Sequence, residues 1–157
     1  MIIRDFYIND HESVCEVALA SWKVAYSKRY TNDQIDEILK DWYSKENHLG
    51  MIQSIKDQSL FFKVVEVENR IIGFCLGDIK ESKLSRLYIQ PDYINKGYGT
   101  HLLELFENIL LKNKKSYITL SCDKLNDIGI TYYKKHGFTI IDEEDEDFVL
   151  KKMLIKK

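Results

Sequence analysis

Apolar positions along this chain recur first at helical spacing, then in alternation, then at helical spacing again. Residues 2–8 are a short apolar run that predicts a strand. Val14, Val17, Ala18, Ser21, Trp22 and Ala25 follow at 3.6 spacing and predict a helix over about 11–28. Thr31-Asn32-Asp33-Gln34 is a capping-box pattern, and Ile35, Ile38, Leu39 and Trp42 continue it as an amphipathic helix. Leu49, Ile52 and Ile55 mark a further helical piece over about 45–56. The period then changes. Residues 60–67 are β-branched and aromatic, Glu68-Asn69-Arg70 turns, and 71–79 and about 83–90 resume as strands of an antiparallel meander. After Gly97 a helix places Leu102, Leu103, Phe106, Ile109 and Leu110 on one face and ends near Asn113-Lys114-Lys115. Residues 116–122 read as strand, and 126–136 as a short helix closed by Gly137. Residues 138–141 and 148–155 form a last hairpin around the acidic run Asp142-Glu143-Glu144-Asp145-Glu146-Asp147. The strand–helix–strand unit over 83–122 predicts one parallel pair. The fold class is therefore α/β: a mixed, mostly antiparallel sheet with one parallel strand pair, flanked by helices on both faces.

Bulk properties narrow the partners. The 157 residues are expected to form one domain, 1–157, with a real core. With 23 basic and 25 acidic residues the net charge is −2, and the basic residues are scattered, which argues against a nucleic-acid surface. Cys15, Cys75 and Cys122 are odd in number and far apart, fitting neither a disulfide framework nor zinc, and His11, His48 and His136 make no metal spacing, so no metal is expected. No signal peptide is evident, and no apolar run approaches the ~20 residues of a membrane span, so a cytoplasmic protein without a membrane partner is expected.

The chemistry gathers in residues 87–103. A short β-rich run, a Pro91-marked turn, Gly97 and Gly99, and then an apolar-periodic helix follow one another. Glycine permits positive φ and leaves no side chain in a ligand's way, and free amides at a helix N-terminus attract phosphate oxygens. A strand-to-helix turn can also use glycine with no ligand at all. The P-loop pattern is absent. A dinucleotide fingerprint wants a third Gly where Leu102 stands, although Asp123 lies at a strand end where a ribose-binding acid could be.

Leu87-Tyr88-Ile89-x-Pro91-x-Tyr93-x-x-Lys96-Gly97-Tyr98-Gly99-x-x-Leu102-Leu103 resembles the acetyl-CoA-binding motif of the GNAT superfamily of N-acetyltransferases. Downstream, Asn126-x-x-Gly129-Ile130-x-x-Tyr133-x-Lys135-x-Gly137-Phe138 resembles that superfamily's second signature, and the order of elements from 2 to 155 matches as well. The resemblance implies a GNAT-like fold, acetyl-CoA as cosubstrate and a primary amine of a small molecule or peptide as acceptor, with a homodimer as a candidate assembly. It implies that the backbone of Leu87, Tyr88 and Ile89 meets the acetyl and pantetheine groups. Asn95, Lys96, Gly97, Tyr98, Gly99 and Thr100 would cradle the pyrophosphate, and Asn126 would contact pantetheine. The chain departs from the pattern at Ile94, where the family usually has Gln or Arg, and at Lys83, where many relatives carry Glu; the nearest carboxylate is Glu81.

Amide formation from a thioester needs an amine that loses a proton, a stabilised oxyanion and a protonated leaving thiolate. By resemblance Tyr133 is the general acid, while Tyr132, about 100° around the helix, should face elsewhere. Asn126 is also a natural helix N-cap. His101, one residue past the cradle, reads as a solvated histidine. Trp22 and Tyr26, four apart on one helix face, form either an aromatic wall for the acceptor amine or core. The helix-rich first third is loosely similar to polyamine-type acetyltransferases. Cys122 offers a covalent route, but with no paired histidine evident, direct transfer in a ternary complex is favoured. A CoA-binding regulatory domain with little catalysis is the main alternative, and a nucleotide-dependent oxidoreductase a distant third.

Overall fold

Strands β1 (Ile2–Asp5), β2 (Leu60–Val67), β3 (Arg70–Asp78), β4 (Lys83–Ile89), β5 (Tyr117–Asp123), β6 (Thr139–Glu144) and β7 (Asp147–Met153) form one sheet in the computed structural model, which describes residues 1–155. Their order is β1-β2-β3-β4-β5-β7-β6. Every neighbouring pair is antiparallel except β4 and β5. Strand alternation divides the apolar side chains between two faces. Phe62, Val64, Phe74 and Leu76 point to the face covered by α1 (His11–Ala25), α2 (Asn32–Trp42) and α3 (Lys45–Lys56). Phe61, Val65, Ile72, Cys75, Ile118 and Leu120 point to the other, where α4 (Tyr98–Lys112) lays down Leu102, Leu103, Phe106 and Leu110. The short helix α5 (Asp127–Lys135) adds Ile130, Tyr132 and Tyr133 to that second cluster. Among the described residues no helix is long and apolar enough to cross a membrane.

Two irregularities in β4 position the site. Its ladder with β5 consists of one pairing, Lys83 with Thr119, beside the Thr119 N–H bond to Ser82 O at 2.9 Å. Toward their C-terminal ends the strands share no further ladder pairing. The register between β3 and β4 also shifts at Leu76/Gly77, which leaves Ser85 without an opposite residue. A bulge of this kind re-aims the side chains beside it. Leu84 and Leu87, which strict alternation would send to opposite faces, both pack on the α4 face. Arg86 and Tyr88 consequently face α1 and α3.

Three boundaries differ from the sequence expectation. β1 stops at Asp5 rather than near residue 8, because the Asp10 carboxylate accepts the Tyr7 N–H at 2.8 Å and the Arg4 guanidinium at 2.7 Å, closing a 3-10 turn over Ile8–Asp10. α1 stops at Ala25 rather than 28; Arg29 is drawn onto Asp123 with its Nη2 2.8 Å from Oδ1, which turns the chain away from the helix axis. The acidic run is not all loop, since Asp142, Glu143 and Glu144 belong to β6. β6 is an edge strand with all six side chains exposed, so charge costs nothing there and discourages pairing with other chains. The capping box at Thr31 and Gln34 forms as expected, with bonds of 3.2 and 2.8 Å.

His48 of α3 is fully buried among the rings of Phe6, Tyr43 and Phe62, and its Nδ1 lies 2.7 Å from His11 Nδ1. Its Nε2 has no hydrogen-bond partner among the described residues. Burial, with repulsion from His11 and Arg86, lowers the His48 pKa from 6.5 to about 4. A histidine whose folded pKa is depressed binds its proton more readily in the unfolded chain. Stability is therefore full above pH 6.5 and is lost as pH falls from 6.5 toward 4, by up to about 3 kcal/mol. His48→Phe keeps the aromatic packing without the titration. Thermal unfolding across that window should show a shallower acid limb for the variant than for the parent chain.

Candidate active site

A cavity of about 880 Å³ opens where β4 and β5 diverge. Residues 85–89 of β4 form one wall and residues 120–122 of β5 the other. Ser21, Val24, Ala25 and Tyr26 of α1 border it on one face of the sheet, and the 95–100 turn with α5 borders it on the opposite face. The cavity thus passes through the sheet, and two ligands can approach it from opposite sides.

The turn before α4 is shaped for an anion. Pro91 starts a 3-10 turn over Pro91–Tyr93, after which Asn95 (φ 63) and Gly97 (φ 88) adopt left-handed backbone. Successive turns of this kind direct N–H groups into one concavity. Gly97 is the N-cap of α4 and supplies no side-chain cap, so the first amides of a 15-residue helix are available to a ligand. A Cβ on Gly97 would meet nothing within 4 Å, which leaves the space in front of those amides open. Thr100 lines the cavity beside them, with its Oγ1 3.0 Å from His136 Nε2. His136 Nδ1 lies 2.9 Å from the Tyr132 carbonyl, so Nδ1 donates there and Nε2 accepts the threonine hydroxyl. Lys135 also lines the cavity. Open amides and a cation fit a pyrophosphate.

Of the residues expected at the cradle, Asn95, Gly97, Tyr98, Gly99 and Thr100 line the cavity, as do Leu87, Tyr88, Ile89, Asn126 and Tyr133. Lys96 does not; its Nζ stands 5.5 Å from the Tyr93 ring centroid. Ile94 lines the rim and is 45% exposed, so the missing polar side chain leaves an apolar lip. Glu81 is exposed in the β3–β4 turn, where its N–H donates to Asp78, and the structure does not bring it to the cavity. His101 is exposed and outside the lining. Tyr132 corrects the helical-wheel expectation. It lines the cavity next to Tyr133, with its hydroxyl 3.4 Å from Thr100 Oγ1, because the cavity borders α5 along its whole length.

Asn126 caps α5 by accepting the Gly129 N–H at 3.0 Å, and it is 9% exposed. One turn later Tyr133 packs edge-on against Phe138 at 5.5 Å. Burial raises the Tyr133 phenol well above the ordinary tyrosine range, so it keeps its proton at physiological pH. Burial also pushes the Cys122 thiol up to about 12, with repulsion from Asp123 and Asp147 adding to it. No histidine hydrogen-bonds Cys122 among the described residues. A thiol so placed is a poor nucleophile at neutral pH.

On the α1 side the two aromatic candidates separate. Tyr26 lines the cavity. Trp22 is 6% exposed in the core and stands behind it, with the two rings 4.4 Å apart and Trp22 Nε1 donating to the Tyr88 hydroxyl at 3.1 Å. The sequence pattern also missed a clamp over the mouth. Arg29 forks onto buried Asp123 and reaches Glu146 at 3.3 Å, while Lys28 pairs with Asp127 at 3.0 Å. Nothing in the spacing of these five charges announces the pairing, since Arg29 and Asp123 are 94 residues apart and Lys28 and Asp127 are 99. Asp123 is thereby engaged and is not free for a ribose. Among the described residues no group of three His, Cys, Asp or Glu side chains could hold a metal ion.

Residues 18–138 match the sequence model of the Acetyltransferase (GNAT) family. The chain is similar to a spermidine N(1)-acetyltransferase of Thermoplasma acidophilum, 32% identical over 153 residues that cover 96% of this chain and 95% of that protein. Its fold matches the crystal structure of PaiA N-acetyltransferase from Thermoplasma acidophilum in complex with coenzyme A, with a TM-score of 0.91, 32% identity and coverage of 97% and 98% of the two chains. The ribosomal-protein-S18-alanine N-acetyltransferase of Escherichia coli shares the fold alone, at 14% identity and a TM-score of 0.66 over 99% of this chain and 95% of that one.

Gly129 allows the Asn126 cap to close. A Cβ there would lie 2.6 Å from Asn126 Nδ2 and 3.1 Å from Cys122 Sγ. Gly129→Ala should therefore break the cap and cost about 1–2 kcal/mol in urea unfolding. Gly50→Ala in α3, where an added Cβ meets nothing within 4 Å, should move stability the other way by about 0.5–1 kcal/mol.

Proposed function

This chain belongs to the Acetyltransferase (GNAT) family, and on that premise we propose that it moves the acetyl group of acetyl-CoA to a primary amine of a small molecule or peptide, directly, with both substrates bound together. The observation that carries this reading is the cavity that passes through the sheet between β4 and β5, lined by phosphate-ready amides on one face and by Tyr26 on the other. The relative named for spermidine acetylation supports a small amine as acceptor, and the relative crystallised with coenzyme A supports the cosubstrate.

When bound, acetyl-CoA supplies the acetyl group as an activated thioester. The amides of residues 97–100, with Asn95 and Lys135, hold its pyrophosphate, and Thr100 lines the site beside them. Lys96, outside the lining, adds only long-range positive charge. The backbone of Leu87, Tyr88 and Ile89, which has no ladder partner on β5, binds the pantetheine amides and the acetyl carbonyl. Asn126 borders the same arm. Tyr133 holds a proton at its phenolic oxygen toward the leaving sulfur. Tyr26 forms the acceptor wall, and Trp22 fixes it and Tyr88 from behind. Asp127, the carboxylate lining the cavity, is engaged by Lys28, so the proton of the attacking amine leaves through water. A cytoplasmic location fits this use of acetyl-CoA.

Acetyl-CoA and CoA should raise the melting temperature, and NAD should not; the reverse pattern would sink the reading. Tyr133→Phe should lower kcat about 100-fold in a thiol-release assay while the acetyl-CoA Kd stays within about twofold. Cys122→Ala should keep acetyl transfer, whereas a trapped acetyl group on Cys122 would replace direct transfer by a covalent route.

A further inference from the structure

Three of the four arginines have evident surroundings, and the fourth does not. Arg4 is forked onto Asp10 and Glu66, Arg29 onto Asp123 and Glu146, and Arg70 is exposed at the start of β3. Arg86 is half-buried, with its guanidinium carbon 4.2 Å from the centroid of the buried Tyr43 ring. Its Nη1 is buried without a hydrogen-bond partner among the described residues, and no carboxylate lies within 4 Å of it there. The ring face attracts the cation but offers no lone pair to its N–H groups. A buried charged donor is costly unless it finds an acceptor, and an anion entering the cavity that Arg86 lines would supply one.

The position of Arg86 says which ligand. The bulge at Ser85 turns Arg86 to the α1 and α3 face, which is the acceptor side of the cavity. It lies two residues from Tyr88, roughly 7 Å along the strand from the segment proposed to bind the acetyl carbonyl. Arg86 lines both the main cavity and an adjoining hollow bordered by Trp42, Glu46, Asn47 and Met51. Glu46 is exposed at that hollow and is not paired with Arg86. A polycation would bring like charge against this guanidinium, whereas a carboxylate presents two oxygens to its fork.

We propose that Arg86, held by Tyr43, is an anion-accepting subsite, and that the amine acetylated by this chain carries a carboxylate. The proposal rests on the acetyl-transfer reading for its placement, and its test is by binding so that the two can fail separately. Calorimetry with CoA-saturated protein compares γ-aminobutyrate with putrescine, and lysine with cadaverine, pairs that differ in a carboxylate. The acids should bind at least about tenfold tighter than their partners. Arg86→Met should weaken the acids by about tenfold or more, bind the diamines as tightly as the parent or more tightly, and leave the CoA Kd unchanged; Arg86→Lys should restore part of the loss. Arg86-dependent acid binding without acetyl transfer would uphold the subsite and sink the transferase reading. Acetylation of diamines or spermidine in preference to acids, with Arg86→Met leaving the ratio unmoved, would overturn the subsite and leave the transferase reading standing. Failure of every acid to bind would overturn it too.

Discussion

The structure depends on two parallel strands that pair once and then part. After Lys83 and Thr119, β4 and β5 share no further ladder pairing, although both are flanked by well-formed antiparallel neighbours. A sheet interrupted at its centre leaves backbone donors and acceptors facing a gap, and a buried unpaired group costs about 1–3 kcal/mol. The gap persists because both flanks are braced. Ser21 Oγ donates to the Ile89 carbonyl and Trp22 to the Tyr88 hydroxyl, which ties the end of β4 to α1. Asp123 at the end of β5 is gripped by Arg29, and its carboxylate also accepts the Leu125 N–H. The ligand that enters can then satisfy a strand edge that the protein holds open.

The two faces solve recognition differently. On the α4 side the proposed contacts are mainly backbone amides, set by left-handed turns at Asn95 and Gly97. On the α1 side the cavity is lined by side chains whose aim depends on distant braces and on the bulge at Ser85. Backbone recognition tolerates Ile94 in place of a polar residue, since the amides remain whatever side chain stands there. Side-chain recognition has no such tolerance, so acceptor choice is free to differ among chains that share the cofactor side.

That contrast also decides what was legible in the sequence. Glycine spacing, proline and the second motif report local backbone geometry, and all seven strands and five helices follow from apolar period and turn residues. Asn95, Gly97, Tyr98, Gly99 and Thr100 line the cavity, and Lys96 does not. Non-local facts left no trace in the pattern. The bulge at Ser85 looks like ordinary alternation, the Arg29–Asp123 clamp joins residues far apart, and Tyr132 faces the cavity because the cavity borders more than one side of α5. Trp22 and Tyr26 share a helix face, yet one is wall and the other is backing. Glu81 is close to β4 in sequence but lies at the strand's far end from the site.

Tyr133 shows why the raised pKa of a buried phenol bears on the chemistry. A phenol held well above its ordinary range donates a hydrogen bond at any physiological pH but gives up its proton at a cost. In the proposed transfer a neutral amine passes one proton from nitrogen to sulfur, and a substrate that arrives as ammonium first releases one more to solvent. A phenol that yields its proton toward sulfur must be resupplied from the nitrogen side, and water in a cavity continuous through the sheet offers the path. This explains how the site can work without a free carboxylate in its lining. In the proposed transfer a dry or divided cavity would leave Tyr133 stranded, so that reading asks the opening between β4 and β5 to carry protons as well as ligands.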